Sequence, residues 1–341
     1  MFVTIVAGTL WHRLPDRYEA IVDGTTMGTT FKVRITSKRR IGSSTHTELT
    51  TSINNRLNQI NTSMSTWLDD SELNRFNTQL TTEPFEASED LLTVLLAAQS
   101  VSEASNGAFD VTLASVVRAW GFGHLADEDP PSNADLALLL GHTGYEKLHI
   151  DPVAGTLVKA HPELTCDLSS IAKGFGVDAI VQTIRDAGFT DYMVEIGGEV
   201  RASGLNLSGI PWQIGIEIPD EHSVAVYDVI SLDGQAMATS GDYRNFRLVD
   251  GVRLSHTIDG RNGRPITHNL ASVTVIAENA MIADAYATAI NVLGPDDGLA
   301  LANTLHLPIM MLVRNEEDLK EVSTPWFTSM RATNTDPEAS K

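Results

Sequence analysis

The sequence predicts an α+β fold in which mixed sheets pack with helices. Strand-like and helix-like segments are interspersed without the regular βαβ alternation of a doubly wound sheet. Neither an internal repeat nor a linker-like stretch divides the 341 residues, so one large domain or two intimately packed lobes would use them. Hydrophobic residues make up 42% of the chain and charged residues 20%, ordinary proportions for a globular core with a polar surface.

Each element has its own signal. Phe31-Lys32-Val33-Arg34-Ile35 alternates apolar and polar residues, as a half-buried strand does. Ile53, Leu57, Ile60 and Met64 fall on one helical stripe. Ser88 to Ser105 reads as a helix with Ser88 as its N-cap and Gly107 just past its end. Asn133 to Leu140, closed by Gly141, is a shorter helix, and Leu168 to Ala187, stopped by Gly188, another. Tyr192–Ile196, Trp212–Ile218 and Ser272–Ile276 read as strands. Asn279 to Leu293 reads as a helix closed by Gly294-Pro295, and Pro308 to Val313 as a last buried strand. These signals place a single folded unit at residues 18–325. An N-terminal segment, 1–17, precedes it, and a flexible tail, 326–341, poor in apolar residues beyond Arg331, follows.

Charge narrows the function. Lysine plus arginine number 24 against 44 aspartate plus glutamate, a net charge of −20, which argues against nucleic-acid binding and against adhesion to an anionic membrane. Any anionic ligand then needs local positive charge from a metal ion, a lysine or helix N-termini. Cys166 is the single cysteine, so no intrachain disulfide forms. Met1 to Trp11 is apolar, has no basic leading region and is too short to span a bilayer. It reads either as a first strand or flexible start, or as the stump of a signal or anchor.

Three segments carry chemistry. Asp167-Leu168-Ser169-Ser170-Ile171-Ala172-Lys173-Gly174-Phe175-Gly176 sets an acid, two hydroxyls and a lysine in the first turns of a predicted helix. Backbone N–H groups there favour an anion, and Lys173 adds a point charge. Gly174 and Gly176 each cost about 1 kcal/mol of helix propensity, so either a ligand or another helix approaches that face closely. In Asp284-Ala285-Tyr286-Ala287-Thr288, the carboxylate and hydroxyl at i and i+4 share a helix face and suit a hard cation such as Mg²⁺. The alternative is a Thr288 hydroxyl bonded to the carbonyl one turn back. His256 follows a predicted strand and precedes the turn-rich Arg261-Asn262-Gly263-Arg264-Pro265, a position from which it can reach a cleft and act as a general base, or simply bond to backbone. Aromatic residues beside turns, in Met64 to Asn77 and in Gly107-Ala108-Phe109-Asp110, can sandwich a flat ring or pack a core.

In their order along the chain these segments resemble the ApbE family of flavin transferases (FAD:protein FMN transferases). The resemblance runs from about Thr25 to about Leu305. It also takes in Thr26-Met27-Gly28-Thr29, Trp120-Gly121-Phe122-Gly123, Glu195-Ile196-Gly197-Gly198-Glu199 and Ala238 to Asn245. It implies an ApbE-like fold and an enzyme that uses FAD and Mg²⁺ to attach FMN to a threonine or serine of another protein. By the same resemblance Met27 flanks the flavin, and Trp67, where the family more often has tyrosine, stacks on it. Ala108, Phe109, Asp110, Asp167, Lys173 and Ile258 contact FAD. Asp284 and Thr288 ligate Mg²⁺ with an oxygen of Ser170, for which a backbone carbonyl is the safer atom. His256 is the candidate base. The implied acceptors are subunits of Na⁺-translocating NADH:quinone oxidoreductase or RNF-type complexes, and the implied location is the periplasmic face of the inner membrane. A Mg²⁺-dependent FAD pyrophosphatase would use the same pocket. A non-catalytic FAD carrier could dispense with His256 and the Asp284/Thr288 pair.

Overall fold

The computed structural model describes residues 17–123, 129–220, 225–241, 246–249, 251–315 and 318–331. Most of the N-terminal segment, the Asp242–Asn245 part of one motif and the tail beyond Arg331 lie outside the described residues.

The sheet begins with β1 (Tyr18–Thr26) and β2 (Thr29–Ser37). Met27 (φ 50°) and Gly28 (φ 73°) join them as a two-residue turn in which both central residues have positive φ, the geometry that matches strand twist in a hairpin. A long insertion follows, carrying α1 (Ser43–Met64), α2 (Glu89–Ala104), α3 (Asn133–His142) and α4 (Ala172–Asp186). The chain then adds β3 (Asp191–Ile196), β4 (Glu199–Ser203), β5 (Ala236–Gly241), β6 (Leu270–Ala277), α5 (Ala280–Leu305), β7 (Ile309–Arg314) and β8 (Leu319–Ser323). These eight strands lie in the sheet in their chain order, and every neighbouring pair is antiparallel. The sheet is therefore a meander, and most of what builds the site is inserted between its strands.

Strand periodicity sorts the core into two layers. On β7, Met310 and Leu312 face one side and Ile309, Met311 and Val313 the other. The first side is covered by the hairpin Trp212–Glu217/Val226–Leu232 and by Phe327. The second is covered by helices: Leu49, Ile53 and Leu57 of α1 and Ile180 and Ile184 of α4 pack on Val33, Ile35 and Val194, while α5 lies over Val273 and Val275. Fully burying each of these aliphatic side chains contributes roughly 1.5–3 kcal/mol, which is what holds the insertion to the sheet. Below the end of α1, Ile60 and Met64 join a further cluster with Phe76, Leu91, Phe109 and Leu168.

Several boundaries differ from the sequence reading. Helix α4 starts at Ala172 rather than Leu168, because the Asp167 carboxylate accepts from the Ser169 N–H (2.8 Å) and offers the backbone a turn in place of a helix. Helix α3 runs through Gly141 to His142, and Gly144, at φ 133°, marks the turn after it. Gly294 does leave helical geometry (φ 79°, ψ −174°), but Pro295 opens a second helical stretch that continues α5 to Leu305. β7 is not the last strand, since β8 pairs along its outer edge. Order also passes residue 325: Phe327 is fully buried, and Arg331 bonds to Glu321 at 2.6 Å. Among the described residues no helix is long and apolar enough to cross a membrane.

The two glycines of α4 are explained by packing. A Cβ on Gly174 would lie 2.3 Å from the Ala280 carbonyl oxygen, and one on Gly176 would lie 3.0 Å from Met27 Cε and 3.1 Å from Ile196 Cδ1. The close neighbour of Gly174 is backbone, which cannot rotate away. Gly174→Ala should therefore destabilise the protein by about 3 kcal/mol, the upper end of ordinary overpacking, despite its better helix propensity. Urea melts check this; an unchanged or raised midpoint would show that α4 and α5 can separate freely.

Candidate active site

The sheet, the insertion and the β5–β6 connection meet around a cavity of about 830 Å³, at the large end of the range for pockets that hold a ligand of nucleotide size. The cavity wall brings together every site residue expected above: Met27, Trp67, Ala108, Phe109, Asp110, Asp167, Ser170, Lys173, His256, Ile258, Asp284 and Thr288. These come from the β1–β2 turn, the end of α1, the segment after α2, the start of α4, the β5–β6 connection and α5.

The charged end of the cavity lies where α4 meets α5. Asp284, 4% exposed, accepts from the Gly174 N–H through Oδ2 at 3.0 Å. The first turn of α4 is thus turned onto Asp284, which takes one of its unpaired N–H groups. Lys173 Nζ sits 3.6 Å from the same Oδ2, 3.3 Å from Glu199 Oε1 and 3.3 Å from the Ser169 carbonyl. Desolvation pulls the Lys173 ammonium down, but the charges of Asp284 and Glu199 outweigh it and hold its pKa above the usual lysine range. Burial pushes Glu199 up to about 8, against the pull of Lys173 and with Asp284 adding to the rise. The Lys173 ammonium is thus shared between two buried carboxylates, at 3.3 Å and 3.6 Å.

The Asp284/Thr288 pair has free oxygen capacity. Thr47, Thr50, Thr51, Thr62, Thr183 and Thr304 all donate their hydroxyls to the carbonyl one helical turn back. Thr288 does not: among the described residues its hydroxyl makes no hydrogen bond, and neither does Asp284 Oδ1. The intrahelical alternative left open by the sequence is therefore not the one adopted. A carboxylate oxygen and a hydroxyl one turn apart, beside the buried and unpartnered Glu199 Oε2, form an oxygen donor set that fits Mg²⁺.

The other walls are aromatic and apolar. Met27 holds positive φ, a conformation that disfavours residues with a Cβ and costs on the order of 1 kcal/mol, and its side chain lines the cavity. Phe109 and Ala108 are buried beneath the wall. Asp110 works mainly on its surroundings: its oxygens accept from the Thr112 N–H (2.8 Å), the Thr112 hydroxyl (2.7 Å) and the Tyr145 N–H (2.8 Å). Burial raises its pKa and those three bonds oppose the rise. His256 follows the hairpin Phe246–Val249/Val252–Ser255 and meets the edge of Phe122, ring centroids 6.4 Å apart. Trp67 stands at the rim, 65% exposed. Stacking of a base on an aromatic side chain is worth roughly 1–3 kcal/mol, so Trp67→Ala should weaken FAD binding by about tenfold. A fluorescence titration with the same FAD affinity in both proteins would remove Trp67 from the site.

Two charged wall residues were given no role by the sequence reading. Glu199 sits at the start of β4 after the Gly197-Gly198 turn, and a Cβ on Gly197 would crowd Thr29 and the Lys173 stem. That glycine pair was the available signal. Arg247, which donates to the Trp120 carbonyl at 3.0 Å, brings a second cation to the cavity and had no signal in the sequence.

Solved structures share this architecture. The flavin transferase ApbE from Vibrio cholerae superposes with a TM-score of 0.84 at 40% identity, covering 92% of this chain and 99% of that one. The apo flavinyl transferase ApbE from Pseudomonas stutzeri superposes with a TM-score of 0.84 at 35% identity, covering 92% and 97%. Fold and site together define a flavin transferase. The chain belongs to the ApbE family, whose model matches residues 27–312. A curated relative from Vibrio cholerae is 42% identical over 307 residues, spanning 90% of this chain and 91% of its own. Another, from Haemophilus influenzae, is 41% identical over 321 residues, spanning 92% and 91%. Both carry the name FAD:protein FMN transferase.

Proposed function

We propose that this chain is a Mg²⁺-dependent FAD:protein FMN transferase that joins FMN, through a phosphoester, to a threonine or serine hydroxyl of an acceptor protein and releases AMP. The observation that carries the reading is the Thr288 hydroxyl, left without an intrahelical bond one turn from Asp284, itself paired with Lys173, on the wall of a cavity large enough for FAD. In the reaction the acceptor oxygen attacks the FMN-side phosphorus, and the bond from that phosphorus to the bridging oxygen breaks. His256 accepts the hydroxyl proton, and AMP leaves with the bridging oxygen. Trp67 and Met27 hold the isoalloxazine, and Lys173 places positive charge at the diphosphate. Mg²⁺, held by Asp284, Thr288 and an oxygen of Ser170, would neutralise charge on the phosphate oxygens. Work of this kind is mostly positioning and electrostatic, which suits a site built on the ends of rigid helices.

The acceptors we propose are subunits of Na⁺-translocating NADH:quinone oxidoreductase or RNF-type complexes, reached at the periplasmic face of the inner membrane. FAD hydrolysis to FMN and AMP is the second reading, because water can enter where the acceptor hydroxyl would. Incubation with FAD, Mg²⁺ and an acceptor domain separates the two. Transfer adds the mass of FMN, less water, to the acceptor and releases AMP. Release of AMP and free FMN with an unmodified acceptor would replace transfer by hydrolysis, and no AMP at all would leave only an FAD-binding protein.

A further inference from the structure

A cluster of nitrogen and oxygen donors stands apart from the cavity. His142 closes α3, and His161 and Glu163 lie in the turn after the strand Thr156–Lys159. One ligand atom from each of the three lies within 4.8 Å of the other two. His142 Nδ1 is 2.7 Å from Glu163 Oε2, and the His142 and His161 rings stack at 3.9 Å with an interplanar angle of 12°. The Glu163 N–H donates to His161 Nδ1 at 3.3 Å, so in the neutral ring Nδ1 holds the lone pair and Nε2 the proton, and this ring ligates through Nδ1 by giving up that bond.

We propose that His142, His161 and Glu163 form a binding site for a borderline transition-metal cation such as Zn²⁺, independent of the flavin site. A neutral imidazole offers one ring lone pair to a metal, and the two stacked rings bring two such nitrogens to one place. Two imidazole nitrogens and one carboxylate oxygen, with water in the fourth position, are a known donor set for Zn²⁺, whereas Mg²⁺ prefers oxygen alone. The ion would replace the proton between His142 Nδ1 and Glu163 Oε2. With metal–ligand bonds near 2.1 Å at a tetrahedral angle, that pair must open to about 3.4 Å. The Glu163 side chain is 60% exposed and free to make that movement, and a χ2 rotation lets His161 turn its ring toward the ion.

The site would join two supports of the cavity wall. Leu136 and Leu140 of α3 pack against Gly263, in the turn that follows Ile258. The His161–Glu163 turn leads directly into Leu164 and Asp167. A cation here would staple α3 to the segment preceding α4, raising thermal stability without supplying any reacting atom.

The test uses the full chain, stripped of metal with a chelator and kept in excess Mg²⁺ so that the oxygen site is occupied. Isothermal titration with ZnCl₂ should show an uptake event in the wild type that His142→Ala and His161→Ala lose, while His149→Ala, an exposed histidine outside the cluster, retains it. Zn²⁺ should raise the melting temperature of the wild type and not of the two variants, whose metal-free melting curves report whether they fold. Loss of an outer partner of a metal ligand already costs about 10–100-fold in affinity, so Glu163→Gln should cost at least as much. Equal Zn²⁺ stoichiometry and affinity in wild type and in His142→Ala, or no uptake by the wild type, would overturn the site. Wild-type affinity in Glu163→Gln, too exposed a change to perturb the fold, would overturn it as well.

Discussion

Asp284→Asn should leave the fold standing and remove Mg²⁺-dependent FMN transfer. Asparagine is the informative replacement because its side-chain carbonyl can still accept from the Gly174 N–H, now bonded to Asp284 Oδ2 at 3.0 Å. Alanine would leave that buried donor unpaired, at a cost of about 1–3 kcal/mol, and confound stability with chemistry. What asparagine lacks is the charge, both toward Lys173 and toward a cation. Charge stabilisation by a bound metal is worth several kcal/mol in the transition state, so the rate should fall at least about a thousandfold. Thr288→Val removes only the hydroxyl and should raise the Mg²⁺ concentration needed for half-maximal rate. Normal circular dichroism, a melting temperature near wild type and a flat response to Mg²⁺ are the expected results for Asp284→Asn. A wild-type Mg²⁺ response in that variant would show that the cation sits elsewhere.

The second large effect is at His256. His256→Ala should bind FAD about as well as wild type yet transfer FMN at least about a hundredfold more slowly, the lower end of what general-base assistance contributes. The side chain lines the cavity from the β5–β6 connection, on elements other than the α4–α5 junction that holds Lys173 and Asp284. Removing it should therefore spare the charged end of the site. A protonated imidazole cannot take up the acceptor's proton, so the wild-type rate should fall on the acid side, and the variant should lose that limb of the profile. FAD affinity by titration and transfer by acceptor mass shift belong on the same preparation. If affinity and rate fall together, His256 shapes the pocket rather than moving a proton, and a variant that transfers normally would send the proton elsewhere.

Local signals in the sequence determined the elements. The stripe Ile53, Leu57, Ile60 and Met64 is buried as its spacing requires, Ser88 caps α2 by accepting from the Leu91 N–H, and the helix bearing Asp284 and Thr288 begins at its asparagine cap. The ordered motifs also marked the cavity wall, because residues that surround one ligand can be collected from distant segments while each keeps its own local pattern. Propensity failed where a side chain competed with the helix: the Asp167 carboxylate turned Leu168–Ile171 into a cap-like loop, and Pro295 reopened a helix that Gly294 had closed. Tertiary structure alone decided what faces what. Whether Gly174 met a phosphate or another helix depended on the α4–α5 approach, and the Ala280 carbonyl settled it. That the Thr288 hydroxyl finds no partner among the described residues, and that Glu199 and Asp284 share one lysine, follow from side-chain rotamers and distances of a few ångströms between segments far apart in the chain. Burial and charge act through such distances, and no spacing along a sequence encodes them.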